Sequence, residues 1–104
     1  MGIDVALVDE SHVPVQEVFD PRQVLTAFAV YEWPNRSATV SLQFIDPWGD
    51  TVFNQAQIPV LLAELKHFDG EQTDRDARKH LQKVIRLVEL AVGQVHKYIK
   101  FIGD

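Results

Sequence analysis

Between Thr73 and Val95 the apolar residues return at the spacing of a single helix face. With Leu81 as origin and a turn of about 100° per residue, Leu81, Val84, Ile85, Leu87, Val88, Ala91, Val92 and Val95 fall inside an arc of about 160°. A face this broad is a core face, so whatever else the chain forms has to supply a layer for it to rest on. Thr73 or Asp74 can cap this helix, and Asp76 suits the positive end of its first turn. The opposite arc carries Lys79, Lys83 and Arg86, with Leu90 among them. Gly93 weakens the helix late, and residues 96–102 read as a returning strand built on Tyr98, Ile99, Phe101 and Ile102.

A second helix is expected from about Gln57 to Phe68. Ile58, Leu61, Leu62, Leu65 and Phe68 share one face, Pro59 is tolerated in the first turn, and Asp69-Gly70 ends it. Residues 24–33 are rich in β-branched and aromatic types and apolar on both alternating faces, which predicts an interior strand. Pro34 and Asn35 suit a tight turn, and residues 38–45 are the expected partner strand of the resulting hairpin. Pairing about that turn sets Ala29 against Val40, Ala27 against Leu42 and Leu25 against Phe44. Asp46-Pro47-Trp48-Gly49-Asp50 reads as a turn leading into a short strand, Thr51 to Phe53. Ile3 to Phe19, where acids and Pro14 break the period, reads as a short edge strand plus loop. The expectation is one α+β domain over residues 1–104: an antiparallel sheet of about four strands with two helices packed on one face.

With 104 residues, 46% of them hydrophobic, the chain has room for one core and needs no covalent staples. The absence of cysteine removes disulfides, thiolate metal sites and cysteine nucleophiles together. No stretch reaches the roughly 18 apolar residues of a membrane span, and the first residues lack the basic-then-apolar order of a secretory signal, so a cytoplasmic location is expected.

The net charge of −5 is unevenly spread. Residues 1–50 carry a balance of −6, whereas residues 75–100 carry seven bases against two acids. A net negative chain without a recognition motif is a poor nucleic-acid binder. The basic face of Lys79, Lys83 and Arg86 around Leu90 is instead a candidate contact for an acidic protein surface, or for the chain's own acidic half.

Candidate chemistry is sparse. Asp46, Asp50 and Asn54 form an oxygen-rich trio, but their spacing fits no calcium loop, and turn formation accounts for them. Asp76 with His80, and Glu64 with His67, have ligand-like spacing without completing a site. No glycine-flanked serine and no clustered glycines occur, which argues against an esterase elbow and a phosphate loop. No catalytic residue, metal or cofactor is assigned, and an enzyme is not the favoured reading.

The stretch from Phe44 to Asn54, followed by a leucine-rich helix, and the ending Lys100-Phe101-Ile102-Gly103-Asp104 resemble boxes in small uncharacterised bacterial proteins. The resemblance implies a bacterial source and a single domain, and it carries over no activity. The expected function is therefore a non-enzymatic protein–protein interaction module: a homodimer or a binder of another protein, in its narrower form an inhibitor or immunity-type protein. One expected contact is the second face of the 24–45 hairpin, with Val24, Phe28, Val30 and Ile45 interleaved with hydroxyl and amide residues. Trp48, at a turn tip, is a candidate anchor. The alternative is a small ligand-binding protein or enzyme with a pocket between sheet and helices.

Overall fold

The computed structural model describes residues 2–103. In chain order it contains strands β1 (Asp4–Val8) and β2 (Pro14–Val18), helix α1 (Val24–Tyr31), strand β3 (Asp50–Phe53), helices α2 (Ile58–Glu71) and α3 (Arg75–Ala91), and strand β4 (Tyr98–Ile102). Short 3-10 turns occupy Trp33–Asn35 and Leu42–Phe44. The four strands form one antiparallel sheet in the order β2-β1-β4-β3. An α+β architecture with an antiparallel four-stranded sheet is thus present, with three helices in place of the expected two.

The sheet's membership differs from expectation. Residues 24–33 do not form a strand: Val24–Tyr31 is helical, and Leu25, Phe28 and Ala29, at helical spacing, are buried. β-Branched and aromatic content is a preference of about a kilocalorie that tertiary packing overrides. Two local features favour the helix. Gln23 precedes it in the left-handed region (φ 58°) and provides no cap, so the Asp20 carboxylate accepts the N–H groups of Val24 (2.7 Å) and Leu25 (3.0 Å) instead. Pro34 then lies in a 3-10 turn and not at the tip of a hairpin.

Residues 38–45 consequently have no strand to pair with. Their backbone is tied to α2 by the Glu64 carboxylate, which accepts from the N–H groups of Val40 (2.7 Å), Ser41 (3.1 Å) and Leu42 (3.0 Å). None of the expected cross-strand pairs about residues 34 and 35 forms, and the second hairpin face does not exist.

The segment before residue 20 supplies the missing strands. Val5, Ala6, Leu7 and Val8 are all buried, the pattern of an inner strand, and β1 pairs with β2 on one side and β4 on the other. Asp9 shapes the connecting turn by accepting from the N–H groups of Ser11 (2.9 Å) and Val13 (3.0 Å). Val5 with Phe101, and Leu7 with Ile99, are register partners and face the main core; Ala6 and Val8, although buried, lie outside that core cluster.

The helix readings of the second half agree closely with the structure. α2 carries Ile58, Leu61, Leu65 and Phe68 inward and continues through Gly70 to Glu71. Asp74 caps α3, accepting from the Asp76 N–H at 3.0 Å. Leu81, Val84, Ile85, Leu87, Val88 and Ala91 are buried, and burial of each of the leucines, valines and the isoleucine stabilises the fold by roughly 1.5–3 kcal/mol. α3 stops at Ala91, before Gly93 turns with φ 77°, so Val92 and Val95 are exposed and not part of the core face. Phe28, Trp33 and Phe68 form an aromatic cluster with ring centroids 4.7–5.8 Å apart.

The two boxes of the 44–54 stretch and the chain's ending meet in space. β3 pairs with β4, and the Gly103 N–H donates to the Gly49 carbonyl at 2.8 Å. A Cβ at position 103 would lie 2.6 Å from the carbonyl oxygens of Gly49 and Pro47 and 2.7 Å from that of Asp46, so the turn closes on β4 only over a glycine. Asp104, the last residue of the ending box, lies outside the described residues.

Candidate interface beside an edge strand

α3 lies against β1, β2 and β4, and its solvent side carries the bases. Because β2 ends the sheet, one side of its backbone has no strand partner among the described residues. Register sets Gln16 opposite Leu7 and Val18 opposite Val5, so Gln16 and Val18 stand on the side that faces α3. Between them and the helix runs a groove of about 530 Å³, lined by Gln16, Val18, Lys83, Arg86, Leu87, Glu89 and Leu90. Its floor is apolar: Leu87 is buried, Val18 half-buried and Leu90 49% exposed. The Glu89 carboxylate is held by Lys66 Nζ at 3.2 Å. Among the described residues Lys83 and Arg86 belong to no ion pair, so the groove carries two cations without counter-charge.

A second cleft, about 250 Å³, opens on the far side of Lys83 and is lined by Asp20, Pro21, Arg22, Val24, Asp76, Lys79, His80 and Lys83. The Asp20 side chain is wholly buried. Besides the two α1 amides it accepts the Ile3 N–H at 3.0 Å, while its own N–H donates to Asp4 Oδ1 at 2.8 Å. His80 Nε2 approaches Asp20 Oδ1 to 3.5 Å without forming a hydrogen bond. Burial holds the His80 pKa below its ordinary 6.5, helped by the Lys83 charge and opposed by Asp20 and Asp4, so the ring is neutral at pH 7. The lining offers no hydroxyl or thiol nucleophile. Asp20 is spent on three backbone donors, and the cluster acts to fix the start of α1 against β1 and α3.

A third cleft, about 490 Å³, lies between residues 35–42 and α2. Its charges are mutually satisfied: Arg36 meets Glu71 at 2.7 Å and sits 4.6 Å from the Phe68 ring centroid, His67 meets Glu71 at 3.5 Å, and Glu64 holds the three amides. Among the described residues no group of three histidines or carboxylates could hold a metal ion.

Of the residues singled out in the sequence, the structure brings Lys83, Arg86 and Leu90 into one groove and places Lys79, exposed, on the neighbouring cleft. Val24 joins Lys79 and Lys83 at that cleft, and the others are placed apart from both. Phe28 (7% exposed) and Ile45 are core residues, and Val24 and Val30 are half-buried on α1. The reason is the helical state of 24–31, which turns Phe28 into the aromatic cluster. Trp48 is 68% exposed at its turn, where Asp46 Oδ1 accepts its N–H at 2.8 Å. The oxygen trio is divided among structural tasks: Asp50 pairs with Lys100 (3.4 Å) and Asn54 Oδ1 accepts from Ala56 and Gln57 ahead of α2. His80 lies against Asp20 and not against Asp76. Gln16 and Val18, which complete the groove, were hidden in a segment without clear period; the four-residue apolar run Val5–Val8 was the available sign of a strand there.

Among the described residues no helix is long and apolar enough to cross a membrane. Comparison with protein-family models, with curated proteins and with solved structures returns no match.

Proposed function

We propose that the protein is a non-enzymatic protein-binding module whose contact surface is the groove between β2 and α3. The observation that carries this reading is the pair of uncompensated cations, Lys83 and Arg86, flanking the exposed part of Leu90 over an apolar floor. A half-exposed leucine one helical turn from an exposed arginine is the composition of an interface centre once a partner covers it. Common membership of Leu81, Val84, Leu65, Val5 and Phe101 in one core supports the helices sharing a side of the sheet, which leaves this groove at the rim of that layer. The resemblance to small bacterial proteins implies a bacterial source, and the occupant is either another protein or a second copy.

The test is site-specific photocrosslinking from position 90 in the native host. A discrete adduct that disappears in the Lys83→Glu/Arg86→Glu variant is the expected result. A crosslinking pattern indifferent to those two charges, or no adduct, defeats the reading. Light scattering on the purified chain at low and high salt then separates a homodimer from a foreign partner, because an assembly resting on these cations weakens with salt.

A second reading, small-ligand binding, is favoured by the third cleft, where Phe68, Leu42 and Ala63 form apolar walls beside Arg36. It predicts a rise in melting temperature with some member of a metabolite panel. A flat response across the panel counts against it.

A further inference from the structure

We propose that the groove receives an extended acidic segment of another protein, added to β2 as a fifth strand of the sheet. The inference rests on the protein-binding reading and specifies the partner's chemistry and pose. Among the described residues β2 has a strand neighbour on one side alone, so alternate N–H and C=O groups of Gln16–Val18 are offered outward, beyond the register irregularity at Val15 and the interruption at Pro14. A strand laid there sends every second side chain toward the face that bears Gln16 and Val18, which is the groove side.

Lys83, Arg86 and Leu90 lie along one stripe of α3, and the first and last are separated by roughly 10 Å at 1.5 Å per residue. Five residues of an added strand span about 13 Å and place three side chains over that stripe. The matching segment carries acids at two consecutive groove-facing positions and an aliphatic residue at the third. The groove's own carboxylate, Glu89, is already held by Lys66 and so leaves the two cations available. The apolar floor of Val18, Leu87 and Leu90 distinguishes an acidic peptide from a polyphosphate, which has nothing to bury there.

The test uses the full chain, ¹⁵N-labelled, titrated with the blocked heptapeptide Thr-Glu-Thr-Glu-Thr-Leu-Thr and with its reversed sequence, which together cover both strand directions. The expected result is amide shifts confined to β2 and residues 83–90. Affinity should fall roughly tenfold or more in Lys83→Glu/Arg86→Glu, as befits loss of two charge contacts, and binding should vanish when alternate peptide amides are N-methylated. Lysine in place of glutamate should abolish binding as well. Silent β2 amides at millimolar peptide, equal binding of the N-methylated peptide, or displacement by a short oligothymidylate overturns the proposal. Both substituted side chains are exposed, the variant's own spectrum reports its fold, and Lys83→Gln/Arg86→Gln replaces it if the reversal unfolds the chain. Crosslinking from position 90 without peptide binding sinks strand addition alone, whereas loss of both sinks the protein-binding reading too.

Discussion

Asp20→Ala should be among the most damaging single substitutions in this chain. The carboxylate is completely buried and accepts from Ile3 N (3.0 Å), Val24 N (2.7 Å) and Leu25 N (3.0 Å). Alanine leaves all three donors without their partner. The Val24 amide is part-buried and can turn to water, but the bonds to Ile3 and Leu25 are buried, and each abandoned donor costs about 1–3 kcal/mol. Removing the carboxylate also removes its own desolvation cost, so the net expectation is a loss of about 2–4 kcal/mol. That is a large share of the roughly 5–15 kcal/mol available to a domain of this size. Asp20→Asn keeps one acceptor oxygen and should fall between alanine and the parent. Urea titration followed by far-ultraviolet circular dichroism gives the difference from the midpoints at unchanged slope. Faster hydrogen exchange at Ile3 and Leu25 should accompany it. An alanine variant within about 1 kcal/mol of the parent would refute the reasoning, since the amides would then have been satisfied in some other way.

Three further outcomes are expected. His80 is held below its ordinary 6.5 in the folded chain, so the unfolded chain binds more protons as pH falls through 6.5; stability is full above that pH and declines below it. His80→Gln should flatten this part of the stability profile, and identical profiles for the two proteins between pH 7 and 5 would exclude the assignment. Gly103→Ala puts a Cβ 2.6–2.7 Å from three backbone oxygens, and should cost about 1–3 kcal/mol, or roughly 4–8 °C in melting temperature per kilocalorie; an unchanged melting curve would show that the turn yields freely. Phe28→Asp inserts a carboxylate among Trp33 and Phe68 and should unfold the protein, so a folded monomer would mean that Phe28 is a surface residue after all.

The stretch 24–45 shows how the sequence can mislead. Val-Leu-Thr-Ala-Phe-Ala-Val-Tyr has strand-like composition and also places Leu25, Phe28 and Ala29 at helical spacing. What separates the alternatives lies outside the stretch itself. Asp20 is available as a cap only because Ile3 and Asp4 hold it beside β1, and the 40–42 backbone is satisfied by Glu64, more than twenty residues away. A pattern local to the segment contains neither fact. The basic stripe was legible for the opposite reason: Lys83, Arg86 and Leu90 are related by helix geometry alone, and α3 is fixed by its own period and cap.

The sequence by itself determined α2, α3, the aspartate–proline turn and the strands on either side of the Gly103 contact, because each is specified by periodicity, capping or turn chemistry acting over a few residues. The tertiary structure decided which segments make up the sheet, that 24–31 is a helix, and that a silent edge strand lies beside the basic stripe. Those outcomes depend on which buried donors find acceptors across the whole chain, and a carboxylate such as Asp20 or Glu64 settles that question only once the fold has brought it there.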